Sequence, residues 1–235
     1  MPQTTPEGFL PRAVVFDLDG LMFDTEALFA KVIADMLAAR GKPPNPEIMR
    51  AMIGRRAVEA GEAFRVLSGI DEPTEALMAE ARRRFHDEVD EAVHPTPGLF
   101  SLLALLESRG IPRGVATSSR RAYAEQLIGR HGLLEHFAFL LTSEDVTRGK
   151  PDPEIYRKAA ERFGVSPGSM IVLEDSAAGL ASAKAAGAFA VGVPHEHSPA
   201  ESLVAADWIV DRLDAPELMD LIRLNPNRTG RSIDG

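Results

Sequence analysis

Residues 13–16, Ala-Val-Val-Phe, form a short apolar, β-rich run that stops abruptly at Asp17, the pattern of a buried strand opening into a polar loop. From Thr25 the period of the apolar positions becomes helical. Ala27, Leu28, Val32, Met36 and Leu37 recur at helix spacing, Gly41-Lys-Pro-Pro-Asn-Pro46 breaks the chain, and further helices are predicted over 48–53, 57–67 and 75–89. No β-rich run interrupts residues 25–93, so this block reads as a separate bundle of about four helices inserted straight after the first strand. Its charged run Glu80-Ala-Arg-Arg-Arg-Phe-His-Asp-Glu88 reads as a solvated helix face with alternating salt partners.

His94-Pro-Thr-Pro-Gly98 reads as the linker back, and beyond it the period switches repeatedly between strand and helix. Helices are predicted over 99–108, 120–130, 153–163 and 177–186, and strands over 113–116, 139–141, 170–173, 189–193 and 208–210. Repeated βα units with near-continuous apolar strands predict an α/β fold, a doubly wound, Rossmann-like parallel sheet covered on both faces. The expected division is 1–24 core, 25–93 helical insert, 94–224 core and 225–235 a polar, turn-rich tail. Ligands in such folds sit beyond the carboxyl ends of the strands, which makes the residue after each strand the one to inspect.

Composition narrows the partners. The chain of 235 residues is 45% hydrophobic and 26% charged, enough for a sizeable core. A net charge of −9 argues against non-specific binding to nucleic acid or anionic membranes, so any phosphate site must be local. The absence of cysteine excludes disulfides, thiolate catalysis and Cys-ligated zinc or iron–sulfur clusters. The first residues carry neither a basic n-region nor an apolar h-region, and no apolar stretch approaches the roughly 18 residues that span a bilayer. The expectation is a cytoplasmic monomer acting on a small molecule.

Acid sits where the first strand emerges. Asp17 and Asp19, one residue apart before Gly20, face one crevice if extended geometry persists, and two like charges that close ask for a cation or a shared proton. Hard oxygen ligands suit Mg²⁺, and the pair offers a nucleophile and an acid/base; an ordinary Asp/Gly turn is the alternative. After strand 113–116 come Thr117-Ser-Ser-Arg120, hydroxyls that either cap a helix or donate to a phosphate. Gly149-Lys-Pro-Asp-Pro153 holds Lys150 on a stiff backbone, as a surface residue or beside a charged centre. Strand 170–173 ends in Glu174-Asp-Ser-Ala-Ala-Gly179, where capping accounts for one acid and metal ligation accounts for two.

Taken in order, Asp17-Leu-Asp-Gly-Leu-Met-Phe-Asp-Thr-Glu26, Thr117, Gly149-Lys-Pro-Asp-Pro153 and Glu174-Asp175 resemble the four motifs of the haloacid dehalogenase superfamily, in its branch with a helical cap. The resemblance covers residues 12–222 and implies that the insert closes over the site. It implies a phosphatase of small phosphomonoesters, working through an aspartyl-phosphate on Asp17 with Asp19 as acid/base. Thr117 and Lys150 complete the implied catalytic set. The implied Mg²⁺ site is Asp17, the backbone oxygen of Asp19 and Asp175, with Glu174 supporting the metal's waters, and the implied phosphate-binding positions are Gly20, Thr117, Ser118 and Lys150.

β-Phosphoglucomutase is the alternative within the family. It carries a His where this chain has Phe29 and a Gly-x-Ser-Arg string where this chain has Gly54-Arg-Arg-Ala57, and both departures count against it. Ile53 to Ala60 and Ala116 to Arg120 look most like the group containing pseudouridine-5′-phosphatase and sugar-phosphate phosphatases. Arg55, Arg56 and Arg120, and likewise Glu26, are candidate substrate contacts, with a merely solvated side chain as the alternative. His195-Glu-His197 reads as an exposed loop rather than a zinc site, since no third ligand is evident.

Overall fold

The computed structural model describes residues 8–52, 57–196 and 198–224. The chain folds as two units, Asp24–His94 and a second formed by Met1–Phe23 with Pro95–Gly235.

The first unit is helical: α1 (Thr25–Ala38), α2 (Pro46–Met52), α3 (Ala57–Ser68) and α4 (Thr74–Ala92). Asp24 starts α1 by accepting from Ala27 N at 3.3 Å, and Leu28, Val32, Ile33, Met36 and Leu37 bury one face. Helix α2 begins earlier than the apolar period predicts, because Asn45 accepts from Glu47 N at 3.0 Å and Pro46 supplies a first-turn φ without needing a donor. The charged run on α4 is only in part a solvated face. Arg82 and Arg83 are exposed, but Glu80 reaches across to Arg40 at 2.7 Å while also holding Arg84 at 2.8 Å. Arg40 also grips Glu72 at 2.7 Å, and Phe85 meets the edge of Phe29 with ring centroids 6.3 Å apart. Arg40 and Glu80 are mostly buried, so salt screens them less than the exposed Lys31–Glu88 pair.

The second unit carries the sheet. Strands β1 (Ala13–Phe16), β2 (Arg113–Ala116), β3 (Leu140–Leu141), β4 (Met170–Glu174), β5 (Phe189–Gly192) and β6 (Trp208–Ile209) stand in the order β3-β2-β1-β4-β5-β6. All pairings are parallel, a doubly wound α/β arrangement. Helices α5 (Leu99–Ser108), α6 (Arg121–Arg130), α7 (Glu154–Phe163), α8 (Ala177–Ala186) and α9 (Pro216–Arg223) complete it. Strand ends differ from the predicted ones by a residue where pairing fades gradually: Val115 N still donates to Phe139 O at 3.1 Å, and Val193 N to Glu174 O at 2.8 Å.

Every residue of β1 is fully buried, as a central parallel strand requires. At roughly 1.5–3 kcal/mol for each large apolar side chain, Val14, Val15 and Phe16 contribute several kcal/mol, the same order as the cost of burying one charge beside them. The strand can therefore support an acidic end. Among the described residues no helix is long and apolar enough to cross a membrane.

Candidate active site

The order of the sheet reverses at β1, and its neighbours β2 and β4 flank the point where Asp17 emerges. Register aligns them: Phe16 lies opposite Val115 on one side and Leu173 on the other. Asp17 N donates to Leu173 O at 3.0 Å and Thr117 N to Leu141 O at 2.9 Å, so Asp17, Thr117 and Glu174 share one edge.

Lys150 reaches that edge from the loop between β3 and α7. The loop is shaped by two acids. Asp145 accepts from Thr142 N and Oγ1, both at 2.8 Å, and from Arg121 at 2.6 Å. Glu154 accepts from Lys158 at 2.8 Å and from Thr147 N and Arg148 N at 3.1 and 3.0 Å, contacts that hold its carboxyl down at about 2. Lys150 Nζ then donates to Asp17 Oδ1, to Glu174 Oε1 at 2.6 Å and to Ala116 O at 3.0 Å, which uses all of an ammonium's protons. Burial alone would lower its pKa, but Asp17 and Glu174 outweigh burial and hold it well above the ordinary value.

Asp17, Glu174 and Asp175 are all buried, with carboxylate oxygens within 4.8 Å of one another. Three carboxylates against one ammonium leave an excess of two negative charges when all are ionised. Burial pushes the Asp17 carboxyl well above its usual range; Lys150 opposes the shift, while Glu174 and Asp175 add to it. A divalent cation with hard oxygen preference fits this donor set and this charge. The chain also makes room for Asp175: Gly20 has φ +81, and a Cβ there would lie 2.1 Å from Asp175 Oδ2. Only glycine satisfies both conditions.

Glu174 is 0% exposed and satisfied on both oxygens. Oε1 accepts from Lys150 and from Tyr156 OH at 2.5 Å, and Oε2 accepts from Ser176 Oγ at 2.9 Å and Ser176 N at 3.3 Å. A Cβ on Gly179 would fall 1.8 Å from Glu174 Oε1, so α8 approaches the carboxylate as closely as a backbone can. Lys150 Nζ lies 5.2 Å from the Tyr156 ring centroid.

Asp19 faces a different set. Its Oδ2 accepts from Ser119 Oγ at 2.6 Å and lies 3.4 Å from Thr117 Oγ1, and its Oδ1 accepts from Tyr123 OH at 2.9 Å. Thr117 Oγ1 in turn accepts from Ser119 N at 2.9 Å. Burial and the Asp19 charge push the Tyr123 phenol well up, so it stays a proton donor.

Of the residues singled out from sequence, Asp17, Asp19, Thr117, Lys150, Glu174 and Asp175 converge at the carboxyl edge. Gly20 N donates to Phe23 O at 2.9 Å, so its backbone donor is engaged within the loop rather than offered to an anion. Ser118 and Arg120 are exposed beside that edge, and Glu26 is half-buried in the first turn of α1 in the helical unit. Arg55, Arg56 and the rest of the Gly54–Ala57 comparison to Arg56, with His197 and the 225–235 tail, lie outside the described residues.

His195 is not on an exposed loop as expected: its Nε2 stands 3.0 Å from Asp175 Oδ2, and the turn it shares with Ser198 brings Ser198 Oγ to donate to Asp175 O. Sequence reasoning missed Ser119, Tyr123, Tyr156, His195 and Ser198. Ser119 and His195 carried a signal, their places just beyond the carboxyl ends of β2 and β5.

A family described as haloacid dehalogenase-like hydrolase matches residues 14–193. The chain is 36% identical over 202 residues to validoxylamine A 7'-phosphate phosphatase of Streptomyces hygroscopicus subsp. limoneus, covering 86% of this chain and 94% of that protein. It is 32% identical over 200 residues to phosphorylated carbohydrates phosphatase of Thermotoga maritima, covering 83% and 91%. A solved HAD family hydrolase from Deinococcus radiodurans R1, with bound phosphate and sodium, is similar at a TM-score of 0.79 and 27% identity, over 92% of this chain and 98% of that one.

Proposed function

The chain belongs to the haloacid dehalogenase-like hydrolases, and from that premise we propose that it hydrolyses a small phosphomonoester of the sugar-phosphate kind, with Asp17 as nucleophile. The observation that carries the reading is Asp17 at the end of β1, held by Lys150 and facing Asp175 and Glu174. Lys150 occupies Oδ1, which leaves Oδ2 as the attacking atom. As the Asp17–phosphorus bond forms and the ester P–O bond breaks, Asp19 gives its proton to the leaving alcohol. Asp19 then takes a proton from water, and that water cleaves the aspartyl-phosphate and returns Asp17. Thr117 donates to the phosphoryl oxygens, Lys150, with its three protons committed, neutralises them through its charge, and Glu174 with Tyr156 fixes Lys150 in place. Asp17, Asp175 and the backbone oxygen of Asp19 would hold Mg²⁺, which when bound neutralises phosphoryl charge.

Asp175→Ala should raise the Mg²⁺ concentration needed for half-maximal activity by well over tenfold, because one direct anionic ligand is lost. A magnesium titration of initial rates reads this, and an unaltered curve would put the cation elsewhere.

Phosphate release by the purified protein with Mg²⁺, compared across sugar phosphates, nucleotides, phosphoglycolate and pseudouridine monophosphate, tests the substrate class. Sugar phosphates should be turned over fastest, in keeping with the relatives named for phosphorylated carbohydrates and validoxylamine A 7'-phosphate. Incubation with β-glucose 1-phosphate and a trace of the bisphosphate separates hydrolysis from mutase transfer. With Phe29 where the mutase has a His, we expect glucose and phosphate or no reaction. Efficient formation of glucose 6-phosphate without matching phosphate release would overturn the hydrolase reading.

A further inference from the structure

We propose that Tyr123 is a positioning residue for Asp19, fixing the plane of the carboxylate that moves both protons; the inference rests on the phosphatase reading above. An acid/base carboxylate must present one oxygen in one direction, and its last torsion is broad and easily turned. Donors on both oxygens stop that rotation. Ser119 Oγ takes Oδ2 at 2.6 Å and Tyr123 OH takes Oδ1 at 2.9 Å, so the two ends of the carboxylate are tied from one segment, the turn after β2 and the first turn of α6. With Tyr123 removed, Ser119 holds one oxygen only and the group can swivel about it.

The phenol suits the task. Its ring is half-buried, so the hydroxyl is delivered by a stiff side chain. Helix α6 is itself braced, with Arg121 bound to Asp145 at 2.6 Å, and Asp145 in turn orders the loop that leads to Lys150. The contact joins positions 104 residues apart, and the hydroxyl has no part in binding phosphate or metal in the mechanism above.

Tyr123→Phe keeps the ring and removes only the donor, and the leaving group separates positioning from packing. An alkyl oxygen leaves with the bonding pair and needs the Asp19 proton, whereas 4-nitrophenolate leaves as a stable anion without it. The ratio kcat/KM ends at departure of the leaving group, before water attack. We expect Tyr123→Phe to lower kcat/KM about tenfold for glucose 6-phosphate and less than twofold for 4-nitrophenyl phosphate, a part of the roughly 10²–10⁴-fold that general acid catalysis contributes. In an Asp19→Asn background the same change should have no further effect on either ester. Equal losses on both esters, or none on either, would overturn the assignment. If Tyr123→Phe unfolds early in a thermal melt, Ser119→Ala must show the same dependence on the ester or the two-point hold is wrong. Wild-type protein that releases phosphate from neither ester, nor from any phosphomonoester of the comparison above, would instead remove the phosphatase reading, and this inference with it.

Discussion

Asp17→Asn should lose roughly 10⁴-fold or more in turnover and still fold, because an amide fills the space of the carboxylate but cannot attack phosphorus. Steady-state phosphate release and a thermal melt read the two halves of this expectation, and a variant that kept a tenth of wild-type activity would remove Asp17 as nucleophile. The melt carries a further, signed consequence. In wild-type protein without Mg²⁺, burial first, and then Glu174 and Asp175, raise the Asp17 pKa in the folded state. A carboxyl whose folded pKa is raised binds protons more readily folded than unfolded, so it weakens the fold at neutral pH. That cost fades as pH falls through the raised value. Asp17→Asn has no such charge to bury. Without Mg²⁺ it should therefore melt higher than wild type at neutral pH, with the gap closing on acidification.

This conflict between stability and chemistry explains why some of the site could be read from sequence and some could not. Asp17, Asp19, Glu174 and Asp175 were legible because each breaks an apolar run, and parallel strands buried on both faces leave such runs nearly continuous. Thr117 and Lys150 were legible as strand-end and loop residues within short strings. The residues that hold these groups were not. Tyr156 lies among Ile155, Ala159 and Ala160 on the buried face of α7, so its period marks it as core and hides a hydroxyl aimed at Glu174. Ser119 and Tyr123 look like a helix start and its first turn, and their partner Asp19 is 100 and 104 residues away. Glu80 in the helical unit shows the same limit: an alternating charge pattern announces a wet face, and nothing local says that one acid turns inward to Arg40. Periodicity reports which side of an element is buried; it is silent on which polar atom completes another element's contacts.

Lys150→Met should damage activity and stability together, in contrast to Asp17→Asn. The Lys150 side chain is 5% exposed and contacts Asp17 at 9% and Glu174 at 0% side-chain exposure, so none of these charges has water to fall back on. Methionine replaces most of the stem but none of the charge, and breaking one partner out of a buried ion pair costs about 3–5 kcal/mol. Activity should fall by roughly 10³-fold or more, since both the hold on Asp17 and the positive charge beside the phosphoryl group are lost. The stability loss should be largest at neutral pH without Mg²⁺ and smaller at acid pH, where the abandoned carboxylates take up protons. Adding Asp17→Asn to Lys150→Met decides whether charge or packing is responsible. The double variant removes one of the abandoned carboxylates, so it should melt above Lys150→Met alone, a non-additive gain expected only of groups in direct contact. A double variant that melts at or below Lys150→Met would mean that the lysine stem, rather than its charge, holds the edge of the sheet together.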